Sequence, residues 1–134
     1  MDKNIAKTRL LDLYKIAISD GKIDKNEYRF IIDIAKSIGL NSNEALDIIN
    51  KNIDFKITPP QSINERMQHL FQMLFLIKID GEIHTKEINI IKNTALYLGL
   101  NLSMTDELIE VIKNYKKELV PKEEMIRIVK QHMN

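Results

Sequence analysis

Asp20-Gly21-Lys22-Ile23-Asp24-Lys25-Asn26-Glu27 recurs sixty residues later as Asp80-Gly81-Glu82-Ile83-His84-Thr85-Lys86-Glu87. Each copy puts a glycine where one helix must stop, an isoleucine two residues on, and a glutamate where the next helix begins. Glycine tolerates the positive φ of a tight interhelical turn. Asp24 three residues before Glu27 forms a capping-box pattern. Both copies therefore read as turns linking helices.

Apolar residues flank the turns at helical spacing. Ile5, Leu10, Leu13 and Ala17 mark a first helix, and Phe30, Ile31, Ile34, Ala35 and Ile38 a second that Gly39 ends. Ser42 or Asn43 is expected to cap a third helix carrying Ala45, Leu46 and Ile49. Pro59-Pro60 breaks any helix, so residues 53–61 read as a connector, with a brief extended piece at 53–57. Ser62 with Glu65 opens a fourth helix through Met67, Leu70, Phe71, Leu74 and Ile77. His84 or Thr85 starts a fifth that stops at Gly99, and Ser103 or Thr105 is expected to cap a sixth. Pro121 suits the first turn of a C-terminal helix at about 121–132.

At the offset of sixty, Leu10/Leu70, Ile31/Ile91, Ala35/Ala95, Gly39/Gly99, Leu40/Leu100 and Asn41/Asn101 are identical, as are the turn pairs Asp20/Asp80, Gly21/Gly81, Ile23/Ile83 and Glu27/Glu87. Identities concentrated on turns, caps and core positions point to an internal duplication. The expected fold is all-α: one domain over 1–134, a compact bundle of about seven helices made of two duplicated helical hairpin units, about 4–52 and 62–117.

The chain has 134 residues, 44% hydrophobic and 29% charged, a globular balance large enough for a core. It has no cysteine, which excludes disulfides and thiolate–metal sites. Met1-Asp2-Lys3-Asn4 leads into a charged amphipathic run without a signal-peptide core, and Leu70–Ile79 is too short to span a bilayer. The expected location is cytoplasmic, without membrane insertion. A net charge of +1 with interspersed signs gives no nucleic-acid footprint. Lys113, Lys116, Lys117 and Lys122 alternate with Glu110, Glu118, Glu123 and Glu124 as a mixed, solvated face.

The repeated octet has the shape of the second half of an EF-hand loop. The first and third ligand positions would be Ile16 and Ile18, or Leu76 and Lys78, which offer no oxygen to a hard cation. One metal reading survives. If the two turns meet, Asp20, Asp24, Glu27, Asp80 and Glu87, joined by His84, form an oxygen-rich patch for a divalent cation. His69, His84 and His132 lack paired metal-ligand spacing and read as surface residues. No Gly-x-Ser-x-Gly elbow, cysteine nucleophile or glycine-rich phosphate loop is present, so no enzyme is expected. Met67, Met73, Phe71 and Phe75 read as core; exposed, they would form a helix-docking surface.

The doubled pattern Asp-Gly-x-Ile, acidic helix start, apolar helix and Gly-Leu resembles the tellurite-resistance TerB-like family and the TerB-like module of DjlA-like co-chaperones, over about residues 10–112. The resemblance implies a bundle of about seven helices and a bacterial, non-enzymatic role in metal stress or phage defence. It also implies a protein partner and recruitment to assemblies near membrane proteins. It places suspected metal contacts at Asp20, Asp24, Glu27, Asp80 and Glu87. His84 and Lys78 depart from the family pattern in the second copy.

Overall fold

The computed structural model describes residues 1–19, 21–79, 82–115 and 120–133. These contain seven helices and no strand: α1 (Lys3–Ala17), α2 (Lys25–Ser37), α3 (Ser42–Ile49), α4 (Ile63–Lys78), α5 (Thr85–Tyr97), α6 (Leu102–Tyr115) and α7 (Lys122–Met133). The bounds of α2 and α5 lie sixty residues apart at both ends, and so do the first residues of α1 and α4 and of α3 and α6. Residues 53–57 form no strand. None of the described helices is long and apolar enough to cross a membrane.

Two central helices carry the core. The contact between α1 and α4 is the most extensive; α1 also meets α2, α3 and α5, while α4 meets α5 and α6. Leu10, Leu13 and Ile16 of α1 and Leu70, Met73, Leu74 and Ile77 of α4 are fully buried. Their spacing of three and four residues explains why each helix presents a continuous stripe to the other. Ile31, Ala35, Ile91 and Ala95 bury the inner faces of α2 and α5. Helix α7 packs on α6, where Ile128 is buried.

The turns after α2 and α5 share one geometry. Gly39 (φ 88°) and Gly99 (φ 73°) are left-handed. The N–H of Leu40 donates to Ala35 O at 2.9 Å and that of Leu100 to Ala95 O at 3.0 Å, closing a Schellman motif in each half. Sequence placed the following caps one or more residues too late. Asn41 caps α3, its Oδ1 accepting the Glu44 N–H while Glu44 Oε1 accepts the Asn41 N–H. Asn101 Oδ1 accepts the Met104 N–H at the start of α6. The Schellman turn releases the chain at Leu40 and Leu100, so the next residue falls in the capping position and asparagine serves there as well as serine.

The connector is fastened by two hydrogen bonds toward its C-terminal end. Thr58 N–H donates to Thr8 Oγ1 (2.8 Å), and Arg66 Nε donates to Pro60 O (2.7 Å). Phe55 packs on the core, with the Lys7 ammonium 5.8 Å above its ring.

Candidate functional site

The acidic turns were the first sequence candidates. Asp24 is the N-cap of α2: its Oδ1 accepts the Glu27 N–H at 2.8 Å, and Glu27 Oε1 accepts the Asp24 N–H at 3.3 Å. In the second half the His84 N–H donates to Glu87 Oε1 at 2.8 Å. Glu27 and Glu87 are both buried, at 5% and 3% exposure. Burial and bonding to backbone amides make these glutamates structural acceptors at helix starts, where the helix dipole also favours them. Ile23 and Ile83 lean on the core beside them. Asp20 and Asp80 lie outside the described residues, as does Gly81. Among the described residues no three acidic or histidine side chains converge as a metal site would require.

The histidines divide differently from the expectation of surface residues. His69 is wholly buried, and its Nε2 lies 2.9 Å from Asp12 Oδ2 across the α1–α4 contact. His132 pairs with Glu107 at 2.8 Å, and His84 is partly exposed, 3.9 Å from Glu82. Arg9, sixty residues before His69, is also buried; its Nη2 reaches Glu65 O at 3.3 Å. Desolvation pushes the Arg9 guanidinium below its usual pKa, and the Glu65 charge opposes that shift. Arg9 Nε and Nη1, His69 Nδ1 and Gln72 Oε1 are buried without a hydrogen-bond partner. These polar groups escaped the sequence reading because a stripe drawn through apolar residues passes over a buried arginine or histidine at its edge.

Two apolar surfaces stand out on the outside. The first surrounds the α5–α6 turn. Leu96 and Tyr97 end α5 and Leu102 begins α6, with exposures of 64%, 56% and 45%. Ile63 opens α4 at 47% exposure, and Arg66, one turn along the same helix face, donates from Nη1 to Leu98 O at 2.9 Å. Leu96, Tyr97 and Leu102 thus flank this turn, and Arg66 ties the start of α4, which carries Ile63, to it. The corresponding positions of the first half are Lys3, Lys36, Ser37 and Ser42. There Lys3 Nζ donates to Gly39 O (2.7 Å) and pairs with Glu44 Oε1 (2.9 Å), placing residue 3 beside its own turn as Ile63 lies beside the second. Matching positions thus carry polar side chains in the first half and exposed apolar ones in the second. Sequence held this signal: the sixty-residue comparison shows it when differences are read along with identities.

The second surface is a hollow of about 380 Å³ lined by Phe71, Leu74, Phe75 and Lys78 of α4, Ile112 of α6, and Val120, Lys122, Met125 and Ile126 at and before α7. Phe75 is half exposed, which corrects its assignment to the core; Met67 and Met73 are buried as expected. Phe75 stacks on Phe30 of α2, with ring centroids 5.6 Å apart, so it lies on the rim of the bundle. No family model, curated protein or solved structure matches the chain.

Proposed function

We propose that this chain is a non-enzymatic protein-interaction module of TerB-like type, derived from an internal duplication, that docks a protein partner through Ile63, Leu96, Tyr97 and Leu102. The observation that carries this reading is the switch from Lys3, Lys36, Ser37 and Ser42 to four exposed apolar side chains at matching positions of a repeated scaffold. Scattered surface apolar residues need no explanation, but a group around one turn is the signature of a contact surface. Tyrosine and leucine there offer large rigid areas for burial. The resemblance adds a bacterial, cytoplasmic, stress-linked setting in which the module joins an assembly at a membrane protein without entering the bilayer itself.

The competing reading, a divalent cation held by Asp20, Asp24, Glu27, Asp80 and Glu87, asks Glu27 and Glu87 to leave buried cap positions. It ranks second for that reason.

The reading is tested by making the second half resemble the first: Ile63→Lys, Leu96→Lys, Tyr97→Ser and Leu102→Ser together. Surface positions of this kind leave stability within about 1 kcal/mol. The expected result is a folded protein that no longer retains the partner recovered by the unaltered chain. Equal recovery by both would refute the patch as the docking surface.

A further inference from the structure

The connector carries a segment that no helix uses. Ile53-Asp54-Phe55-Lys56-Ile57 alternates apolar and charged residues, the pattern of a β-strand, yet it forms no strand in the single chain. The alternation persists in the structure: Ile53 and Ile57 line the hollow beside α1 and Phe55 packs on the core, while Asp54 and Lys56 are exposed. Among the described residues none accepts a hydrogen bond from the N–H of any of these five residues. Asp54 and Lys56 form no ion pair there either. An exposed run of free amides among β-branched and aromatic residues is a template for a strand from another chain.

The charges of the segment select that strand. Paired antiparallel about Phe55, two copies set Ile53 beside Ile57, Asp54 beside Lys56 and Phe55 beside its own counterpart. Both cross-strand charge pairs are then of opposite sign, which favours the pairing. A register slip of two residues sets Lys56 against Lys56 or Asp54 against Asp54, and a parallel in-register pair does both. A slip of one sets apolar residues across from charged ones. Pro59-Pro60, which lack N–H groups, and Lys51 with φ at 65° confine the ladder to residues 52–58. We propose that this segment pairs with the same segment of a second copy of the chain, as a two-stranded antiparallel ribbon centred on Phe55 across a twofold axis. The backbone bends at Phe55 in the single chain, and pairing straightens it. That cost and the small size of a two-stranded ribbon make the dimer weak and reversible.

Sedimentation equilibrium of the full chain, at concentrations up to about 1 mM, reads the assembly. The expected result is a reversible monomer–dimer equilibrium, with hydrogen-exchange protection of the 53–57 amides rising with protein concentration. Asp54→Lys and Lys56→Asp, both at exposed positions, each weaken the dimer about tenfold, because two opposite-charge pairs become like-charge pairs. The double variant Asp54→Lys/Lys56→Asp restores it. An equimolar mixture of the two single variants also forms a mixed dimer as strong as that of the unaltered chain, since every cross-strand pair is again of opposite sign. The four-residue patch variant dimerises normally, which separates this contact from the docking surface. A chain that stays monomeric throughout would overturn the proposal. So would a dimer indifferent to either charge reversal, single variants whose mixture gains nothing, or dimerisation lost with the four-residue patch instead.

Discussion

Asp12 and His69 meet across the central helix pair, Asp12 Oδ2 standing 2.9 Å from Nε2 of a ring that has no solvent exposure. The contact links the two halves: Asp12 belongs to α1 and His69 to α4. Removing the acceptor leaves both ring nitrogens buried without a partner, since Nδ1 already has none. Asp12→Ala is therefore expected to destabilise the fold by about 1–3 kcal/mol, the cost of an orphaned buried donor. Urea unfolding checks this; an unchanged midpoint at equal m-value would contradict it.

Arg9 occupies the position of His69 in the first half, with the opposite expectation. Its guanidinium is buried, two of its nitrogens have no partner, and its one hydrogen bond to Glu65 O is long at 3.3 Å. A buried charge so poorly compensated contributes little net stability, and an apolar side chain of similar length fills the same space. Arg9→Met is expected to leave stability within about 1 kcal/mol or to raise it. A loss above about 3 kcal/mol, the level at which a well-paired buried ion is broken, would show that Arg9 has stronger partners than these contacts.

Lys51 follows α3 with φ at 65°, in the left-handed region that glycine fills in the equivalent role at Gly39 and Gly99. Its N–H and that of Asn52 close the helix on Ile48 O and Asp47 O, at 3.0 and 2.8 Å. Lys51→Gly keeps this geometry and removes the Cβ strain, offset in part by the greater freedom of glycine in the unfolded chain. The net expectation is a gain of about 0.5–1 kcal/mol, seen as a melting temperature higher by about 2–5 °C. A lower melting temperature would contradict it.

Glu44 gives the fold an acid dependence. Its carboxylate accepts the Asn41 N–H and pairs with Lys3, and these contacts hold its pKa below the ordinary value of 4.5. A folded-state pKa below the unfolded one means that the contribution is complete above the unfolded value. It is lost as pH falls through the folded value, because the unfolded chain then takes up the proton first. Stability is expected to fall on acidification below about pH 4.5, and Glu44→Gln reduces the dependence. Identical pH profiles for the two proteins, measured by thermal melts between pH 3 and pH 7, would remove Glu44 from the account.

The seven helices were readable because punctuation and periodicity agreed. Gly39-Leu40-Asn41 and Gly99-Leu100-Asn101 stop one helix and start the next, and buried residues such as Ile31, Ala35, Ile91 and Ala95 keep the helical spacing. Cap positions were less readable because Asn41 and Ser42 are both good capping residues, and the geometry of the Schellman turn decides between them. The polar groups inside the α1–α4 contact were not readable. Arg9 and His69 are common surface residues by type, and only the packing of two helices removes them from water. Leu96 and Tyr97 show the reverse: apolar residues at the end of an amphipathic helix, left outside because α5 has already turned its Ile91–Ala95 face inward. Of the candidate metal residues, Asp24 and Glu27 were legible as a capping box from their spacing, whereas Glu87 was marked only as the counterpart of Glu27 at the offset of sixty.

The proposed docking surface of the second half has an ordinary polar counterpart in the first. Site-specific photo-crosslinking in the living cell compares them directly, with benzoylphenylalanine placed at Tyr97 in one version and at Ser37, its counterpart, in another. The expected result is a discrete adduct of this chain with another protein from position 97, absent from position 37 and lost when Ile63→Lys and Leu102→Ser are added. The same adducts from both positions, or none from position 97, would contradict it.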